Sequence, residues 1–225
     1  MNKPIGTTKP PRPMNKGIYD RGYLPHWDWV ASLQAITFRL ADSVPSAVIQ
    51  QWRRELAEIP DETARERELR RRIARHEDRG AGESLLMRPN CAAIVHAQLL
   101  KGHPAQYRLL DWCIMPNHVH VLVKLEGSAS ISEVVRSWKG PSAVEINRWL
   151  QRCGPLWQRE YYDRLVRDME HLHECRAYIR NNPVKANLCD KPDDWAFSSA
   201  GIGWSPDGAL ASAGESKTPD DRHAG

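Results

Sequence analysis

The segment from Tyr107 to Leu125 constrains the fold most. Tyr107-Arg-Leu-Leu-Asp-Trp-Cys-Ile-Met115 reads as a strand, Pro116-Asn117 as a tight turn, and His118-Val-His-Val-Leu-Val-Lys-Leu125 as the returning strand. Together they predict a β-hairpin. Side chains alternate along a strand, so His118 and His120 share one face while Val119, Val121 and Val123 share the other. The valine face has to be buried in a core. The histidine face opens next to the turn, where a ligand could reach it.

Other elements follow from period and punctuation. Leu33-Gln-Ala-Ile-Thr-Phe-Arg-Leu40 alternates as a strand. A helix is expected from Ser46 to about Ile59, begun by Pro45 and ended by Pro60. Residues 61–79 are dense in charge, with Asp61 or Thr63 as N-cap and Gly80 as stop. They predict a solvated helix in which Glu and Arg pair along the surface. A DNA-binding basic helix is the alternative, but acidic residues nearly match the arginines there. Further helices are expected from about Asn90 to Leu100 and from Ser130 to Leu150. Gly140-Pro141 should kink or divide the second of these. Leu156 to Val166 looks extended, and a last helix runs from about Met169 to Asn182, stopped by Pro183.

Strands meeting in an antiparallel sheet, with helices covering one side, describe an α+β sandwich. Residues 1–18 are rich in Pro, Lys and Gly and are expected to be a flexible lead. Residues 19–202 then form one domain, and 203–225 a disordered tail.

Composition narrows the class without choosing a function. The 225 residues suit one domain with a real core. No run of about 18 apolar residues exists, so no membrane span is expected, and the N-terminal stretch lacks the apolar core of a secretory signal. Five cysteines, odd in number and without a CxxC pair, argue against a zinc ribbon or disulfide framework and for a reducing cytoplasm. A net charge of +4 permits an anionic partner without demanding one.

Two constellations carry chemistry. Imidazoles two residues apart on a strand lie about 7 Å apart and can converge on one metal ion from the same side. An HxH pair alone occurs at the surface or in a core far more often than at a metal. The second constellation is Ala177-Tyr-Ile-Arg-Asn-Asn-Pro183. On a helix Tyr178 and Asn182 are neighbours one turn apart. A phenol can be a nucleophile, and an amide oxygen can complete a site for a hard cation. The plainer reading is a half-buried Tyr packing on the sheet, with Asn181 or Asn182 capping the helix before Pro183.

At these residues the sequence resembles the REP-associated tyrosine transposases, relatives of the bacterial insertion-sequence transposases that carry a His-hydrophobic-His (HUH) motif. The resemblance rests on Trp112-Cys-Ile-Met-Pro-Asn-His-Val-His-Val-Leu-Val123, Ser137-Trp-Lys-Gly140, Leu156-Trp-Gln-Arg-Glu-Tyr-Tyr-Asp-Arg164, Tyr178-Ile-Arg-Asn-Asn-Pro-Val-Lys-Ala186 and Trp195-Ala-Phe-Ser-Ser199. It covers roughly 107–200, and more loosely Ile36-Thr-Phe38 and Arg21-Gly-Tyr-Leu-Pro-His-Trp27. The resemblance implies a ferredoxin-like antiparallel sheet with helices packed on it. His118 and His120 would be the metal-binding pair, Asn182 would complete the site, and Tyr178 would be the nucleophile. The charged stretch 61–79 departs from simple family members and looks like a helical insertion.

The activity implied is cleavage and strand transfer of single-stranded DNA at REP-like hairpins, through a 5′-phosphotyrosine intermediate and with Mg²⁺ or Mn²⁺ as cofactor. Lys185, Arg180 or Arg176 would help the phenol ionise. Trp138, Lys139, Arg159, Arg164 and Lys185 are candidate DNA contacts, although Trp138 and Trp157 are as readily core residues. Tyr161 and Tyr162 are rival nucleophiles on position alone, and Asp163 with Arg164 suggests a structural or phosphate-orienting pair. The chain would act as a monomer or a homodimer. Two other readings are a protein that holds DNA hairpins without cleaving them, and a metal-dependent phosphodiesterase that uses water.

Overall fold

A computed structural model describes residues 33–205 of the chain. The lead 1–18, the Arg21 to Trp27 block and all of the tail beyond residue 205 lie outside the described residues. The described elements are β1 (Leu33–Arg39), α1 (Ser46–Glu55), α2 (Glu62–Asp78), α3 (Pro89–Lys101), β2 (Tyr107–Ile114), β3 (His118–Leu125), α4 (Ile131–Trp149), β4 (Tyr162–Leu165) and α5 (Met169–Lys185).

The four strands form one antiparallel sheet in the order β2-β3-β1-β4. With α3 and α4 as crossovers, this is the β-α-β-β-α-β arrangement of ferredoxin-like folds. The expected hairpin is β2 and β3, closed at Pro116-Asn117 where Met115 N–H donates to the His118 carbonyl at 2.9 Å. The α+β class and the ferredoxin-like sheet hold.

The sheet has two covered faces, not the one expected from sequence. Helices α3 and α4 lie on the first. Val119, Val121, Val123, Ile36 and Phe38 pack there against Val95, Leu99, Val134, Trp138 and Ile146. Helix α5 lies on the second, where Leu33, Cys113, Met115 and Leu122 meet Leu172 and Ile179. The apolar side of α5 is short, so its sequence did not announce a second layer.

A bulge in β2 decides what the second face contains. The pairing passes from Leu109 opposite Val123 to Asp111 opposite Leu122, skipping Leu110. One extra residue reverses the alternation. Asp111 is thereby turned away from the α3–α4 core, onto the face covered by α5.

Both prolines inside helices leave the helix continuous. Helix α4 runs through Gly140-Pro141 to Trp149 without dividing. Pro141 and Ser137, whose carbonyl it cannot pair, sit on the exposed side, where water can serve that carbonyl. On the inner side Ser142 Oγ donates to the Trp138 carbonyl and accepts from Trp157 Nε1 at 3.0 Å, tying the turn to the core. Helix α5 likewise passes Pro183 and ends at Lys185, with Ala186 N–H closing on the Asn182 carbonyl at 3.0 Å.

Helices α1 and α2 form a charged arm outside the sandwich, and α1 has no buried residue. Trp52 meets His76 edge-on at 5.6 Å, Arg72 pairs with Glu55 and Glu68, and Asp61 caps α2 through Thr63 N–H. Trp204, assigned from sequence to the tail, packs edge-on against Trp112 and donates its Nε1–H to the Leu109 carbonyl at 3.1 Å.

Candidate metal centre and nucleophile

The second face carries a polar cluster built from two elements. Strand β3 supplies His118 and His120, 1% and 5% exposed, and helix α5 supplies Asn182, 2% exposed. His118 Nε2 and His120 Nε2 are 3.0 Å apart, and Asn182 Nδ2 lies 3.0 Å from the same His120 nitrogen. Val119, between the histidines, and Val121 and Val123 beyond them face the other core, as alternation predicted.

Each imidazole is oriented through its other nitrogen. His118 Nδ1 lies 2.7 Å from Asn117 Oδ1, and an amide oxygen only accepts, so the proton sits on Nδ1. Its Nε2 therefore points into the cluster with a bare lone pair. His120 Nδ1 lies 2.8 Å from Thr37 Oγ1, on the neighbouring strand β1. Burial pushes His118 far below the usual imidazole range, and the neighbouring His120 and the Arg39 guanidinium lower it further. Burial first, then Arg39, lowers His120 to about 3. Both rings are neutral near pH 7, the state in which imidazole binds metal.

The donor set fits a small divalent cation. Ligands at right angles on bonds of about 2.1 Å stand about 3 Å apart, the separation of the two Nε2 atoms. Asn182 Oδ1 is buried without a hydrogen-bond partner. Amide oxygen and nitrogen are assigned from the surrounding network, so a flip turns this oxygen toward the imidazoles. Among the described residues no three His, Cys, Asp or Glu side chains cluster as a metal site. The set here is two imidazoles and an amide, open to further ligands.

Tyr178 stands one helical turn before Asn182. Its ring contacts His120 edge-on at 5.3 Å between centroids, and the residue is 39% exposed. Lys185 Nζ lies over the same ring at 4.9 Å. Of the three cations proposed to aid the phenol, Lys185 lies over its ring. Arg176 and Arg180 instead direct their Nε atoms to Asp111, at 2.7 and 2.6 Å.

Asp111 was missed in the sequence, as were Asn117 and Thr37. It is fully buried, and its Oδ1 also accepts from Ser199 Oγ at 3.1 Å. Arg176 and Arg180 are one turn apart and bracket Tyr178 in sequence. Holding them on the β2 side turns Tyr178 and Asn182 toward the histidines. A lone carboxylate among Leu109, Leu110, Trp112, Cys113 and Ile114 was the available signal, but only the bulge aims it here.

The rival tyrosines separate by parity. Tyr161 is partly buried against the first core, with Lys139 5.9 Å over its ring. Tyr162 pairs with Thr37, itself opposite His120, so it shares the cluster's face two strands away. Its hydroxyl accepts from Arg70 Nη1 at 3.2 Å. Asp163 and Arg164 are consecutive in β4, so they point to opposite faces and do not form the pair suggested from sequence.

The candidate DNA contacts divide as well. Trp138 is wholly buried, with its Nε1–H donating to the Tyr107 hydroxyl at 2.7 Å, and so is core and not a stacking platform. Lys139 Nζ donates to the carbonyls of Gln158 and Arg159 at 2.7 and 2.9 Å, which occupies its ammonium with the chain. Arg159, Arg164 and Lys185 are exposed.

The sheet thus carries two histidines on β3 and a tyrosine on the helix laid over them. Residues 94–182, from α3 to Asn182, match the family described as Transposase IS200 like. A Haemophilus influenzae protein named as a candidate REP-associated tyrosine transposase is 30% identical over 97 residues, which are 39% of this chain and 55% of that protein. The REP-associated tyrosine transposase of Escherichia coli is 25% identical over 107 residues, 46% of this chain and 61% of that protein. The chain thus spans little more than half the length of these curated relatives. A solved REP-associated tyrosine transposase bound to a REP hairpin aligns with 83% of this chain and 90% of that one, at 16% identity and a TM-score of 0.49. Over these residues the chain is similar to the REP-associated tyrosine transposases. No helix among the described residues is long and apolar enough to cross a membrane.

Proposed function

We propose that the chain is an enzyme that cleaves and rejoins single-stranded DNA at REP-like hairpins, with Tyr178 as nucleophile. The observation that supports this most directly is the contact of the Tyr178 ring with His120, on the face where His118, His120 and Asn182 converge. The relatives named as tyrosine transposases support the same reading.

His118 Nε2, His120 Nε2 and the Asn182 amide would hold a divalent cation, Mg²⁺ or Mn²⁺. Such an ion, when bound, supplies Lewis-acid polarisation of a phosphate oxygen. The remaining work falls to the chain. Asn117 and Thr37 fix the two imidazoles, and burial keeps them neutral. The Tyr178 oxygen attacks the scissile phosphorus, forming an O–P bond as the P–O3′ bond breaks. The strand's 3′ oxygen leaves and takes up a proton, while the phenol proton passes to solvent or base. The Lys185 ammonium, beside the ring, favours the phenolate by its charge. Because the new bond is a phosphodiester, a later 3′-OH can reverse the step and join strands without ATP.

Exposed Arg159, Arg164 and Lys185 would contact the DNA backbone. A cytoplasmic location accords with DNA as substrate and with five free cysteines.

A suicide oligonucleotide carrying a REP-like hairpin, incubated with Mn²⁺, tests this reading. The wild-type chain should form a covalent adduct stable in detergent, and Tyr178→Phe should abolish it while Tyr162→Phe retains it. An adduct that survives Tyr178→Phe and disappears in Tyr162→Phe would move the nucleophile to β4. Hairpin binding without cleavage in any divalent metal would make the chain a binding module, and cleavage without an adduct a water-using phosphodiesterase.

A further inference from the structure

The charged arm α1–α2 ends against the metal-ligand strand. Asn117 Nδ2 donates to the Glu77 carbonyl, in the last turn of α2, and to the Ala81 carbonyl just beyond, at 3.2 and 2.9 Å. The oxygen of that same amide receives the His118 Nδ1 proton. An unbroken relay therefore runs from the arm's backbone to a candidate ligand.

The arm also places a charge. Glu77 is 5% exposed in a helix whose other acids lie mostly in water. Its carboxylate meets Arg39 Nη1 at 3.0 Å, with the two side chains 4% and 11% exposed. Arg39 pairs in register with His118 across β1 and β3, which puts both side chains on one face of the sheet, about 5 Å apart at their Cα atoms. A buried guanidinium beside a site for a divalent cation would repel that cation at short range and low dielectric. Glu77 supplies the opposing charge.

Resting on the reading given above, we propose that the arm is a working part of the metal site. Glu77 is a positioning residue that neutralises Arg39, and the α2 terminus holds His118 through Asn117. Partners one step removed from a ligand commonly change metal affinity by about 10–100-fold. Three arginines of α2 pair with nearby acids: Arg70 with Glu66, Arg71 with Glu68 and Arg72 with Glu55. This internal pairing offsets much of the helix's positive charge within the arm.

Mn²⁺ binding to the full chain, measured by electron paramagnetic resonance without DNA, separates this role from a merely structural one. Glu77→Gln keeps the backbone carbonyl that Asn117 uses and removes only the charge. Mn²⁺ affinity should fall at least about tenfold in Glu77→Gln, and Glu77→Gln/Arg39→Gln should recover it to within about threefold of wild type. Unchanged affinity in Glu77→Gln overturns the proposal. So does a double variant no better than the single one, since loss of packing would not be relieved by removing a second group. Wild-type chain that binds no Mn²⁺, with His118→Ala as the blank, removes the metal site itself and this proposal with it. Normal wild-type binding with an indifferent Glu77→Gln removes the proposal alone.

Discussion

The two faces of the sheet use the same strands for opposite purposes. On the α3–α4 face β3 presents Val119, Val121 and Val123 to a dry core in which Trp138 and Trp157 both pack on Phe38. On the α5 face the alternate residues are His118, His120 and Leu122, with Thr37 and Arg39 beside them and Asp111 and Asn182 buried nearby. The first face is where burial of apolar area holds the domain together. The second buries polar groups that are stabilised only by mutual hydrogen bonding, and it accepts the penalty of unsatisfied Asn182 Oδ1. Residue parity within β3 thus puts the three valines in one core and the two histidines of the candidate site on the opposite face.

The sharpest way to break that contrast is to truncate one residue on each face. His120→Ala should reduce adduct formation by about a thousandfold or more, since it removes the ring that both Asn182 and Tyr178 contact. Its unfolding midpoint should move little, because it also relieves two buried imidazoles facing each other at 3.0 Å. Trp138→Ala should do the reverse. Emptying that site should destabilise the domain by about 3–5 kcal/mol and lower its Tm by roughly 10 °C. In the folded fraction, below the transition, adduct should still form at near the wild-type rate. Thermal melts and single-turnover gels on both variants decide the matter, and equal losses of stability would show that the faces are not separable.

The legibility of the sequence follows the same division. Alternation in β3 predicted both faces of that strand, and the spacing in α5 put Tyr178 and Asn182 on one side. Those are periodic signals carried by neighbouring residues. Asp111 could not be read, because the skip at Leu110 changes which face it joins, and nothing in Tyr107-Arg-Leu-Leu-Asp-Trp announces a bulge. Glu77 was hidden among the acids of a solvated helix, since its burial depends on where Arg39 lies 38 positions earlier. Pro141 was read as a break because its local penalty is visible, whereas the Trp138–Ser142–Trp157 packing that outweighs it is not. Trp138 was offered to DNA for a related reason: a Trp beside a Lys reads alike on a core helix and on a nucleic-acid surface.

A smaller effect sharpens the link between the faces, because Asp111 fastens helix α5 to the sheet through Arg176 and Arg180. Asparagine at this position keeps one acceptor but turns N–H donors toward the second arginine. Arg176 and Arg180 are more than a third exposed, so water screens much of the loss, and roughly 1–2 kcal/mol is expected from Asp111→Asn. The informative readout is kinetic. If the carboxylate fixes the rotation of α5, adduct formation should slow about tenfold while hairpin affinity stays unchanged. Equal slowing in Arg176→Met and Arg180→Met, without further loss when either is combined with Asp111→Asn, would place all three in one unit. Slowing that merely tracks the drop in Tm would reduce Asp111 to a stabilising residue.

The smallest expected effect concerns Arg164, which in β4 pairs with Ala35 of β1 and so lies on the α5 side at the edge of the sheet. A cation there that touches one DNA phosphate releases about one counterion on binding. Arg164→Ala should therefore weaken hairpin affinity only several-fold and reduce the slope of log Kd against log salt by about one. Lys139→Ala provides the contrast, because its ammonium is directed at the Gln158 and Arg159 carbonyls. That variant should leave the slope as it is and lower the melting temperature instead. Should Lys139→Ala reduce the slope while Arg164→Ala leaves it untouched, the DNA would run along the α4 side, and the division of labour between the faces would need to be redrawn.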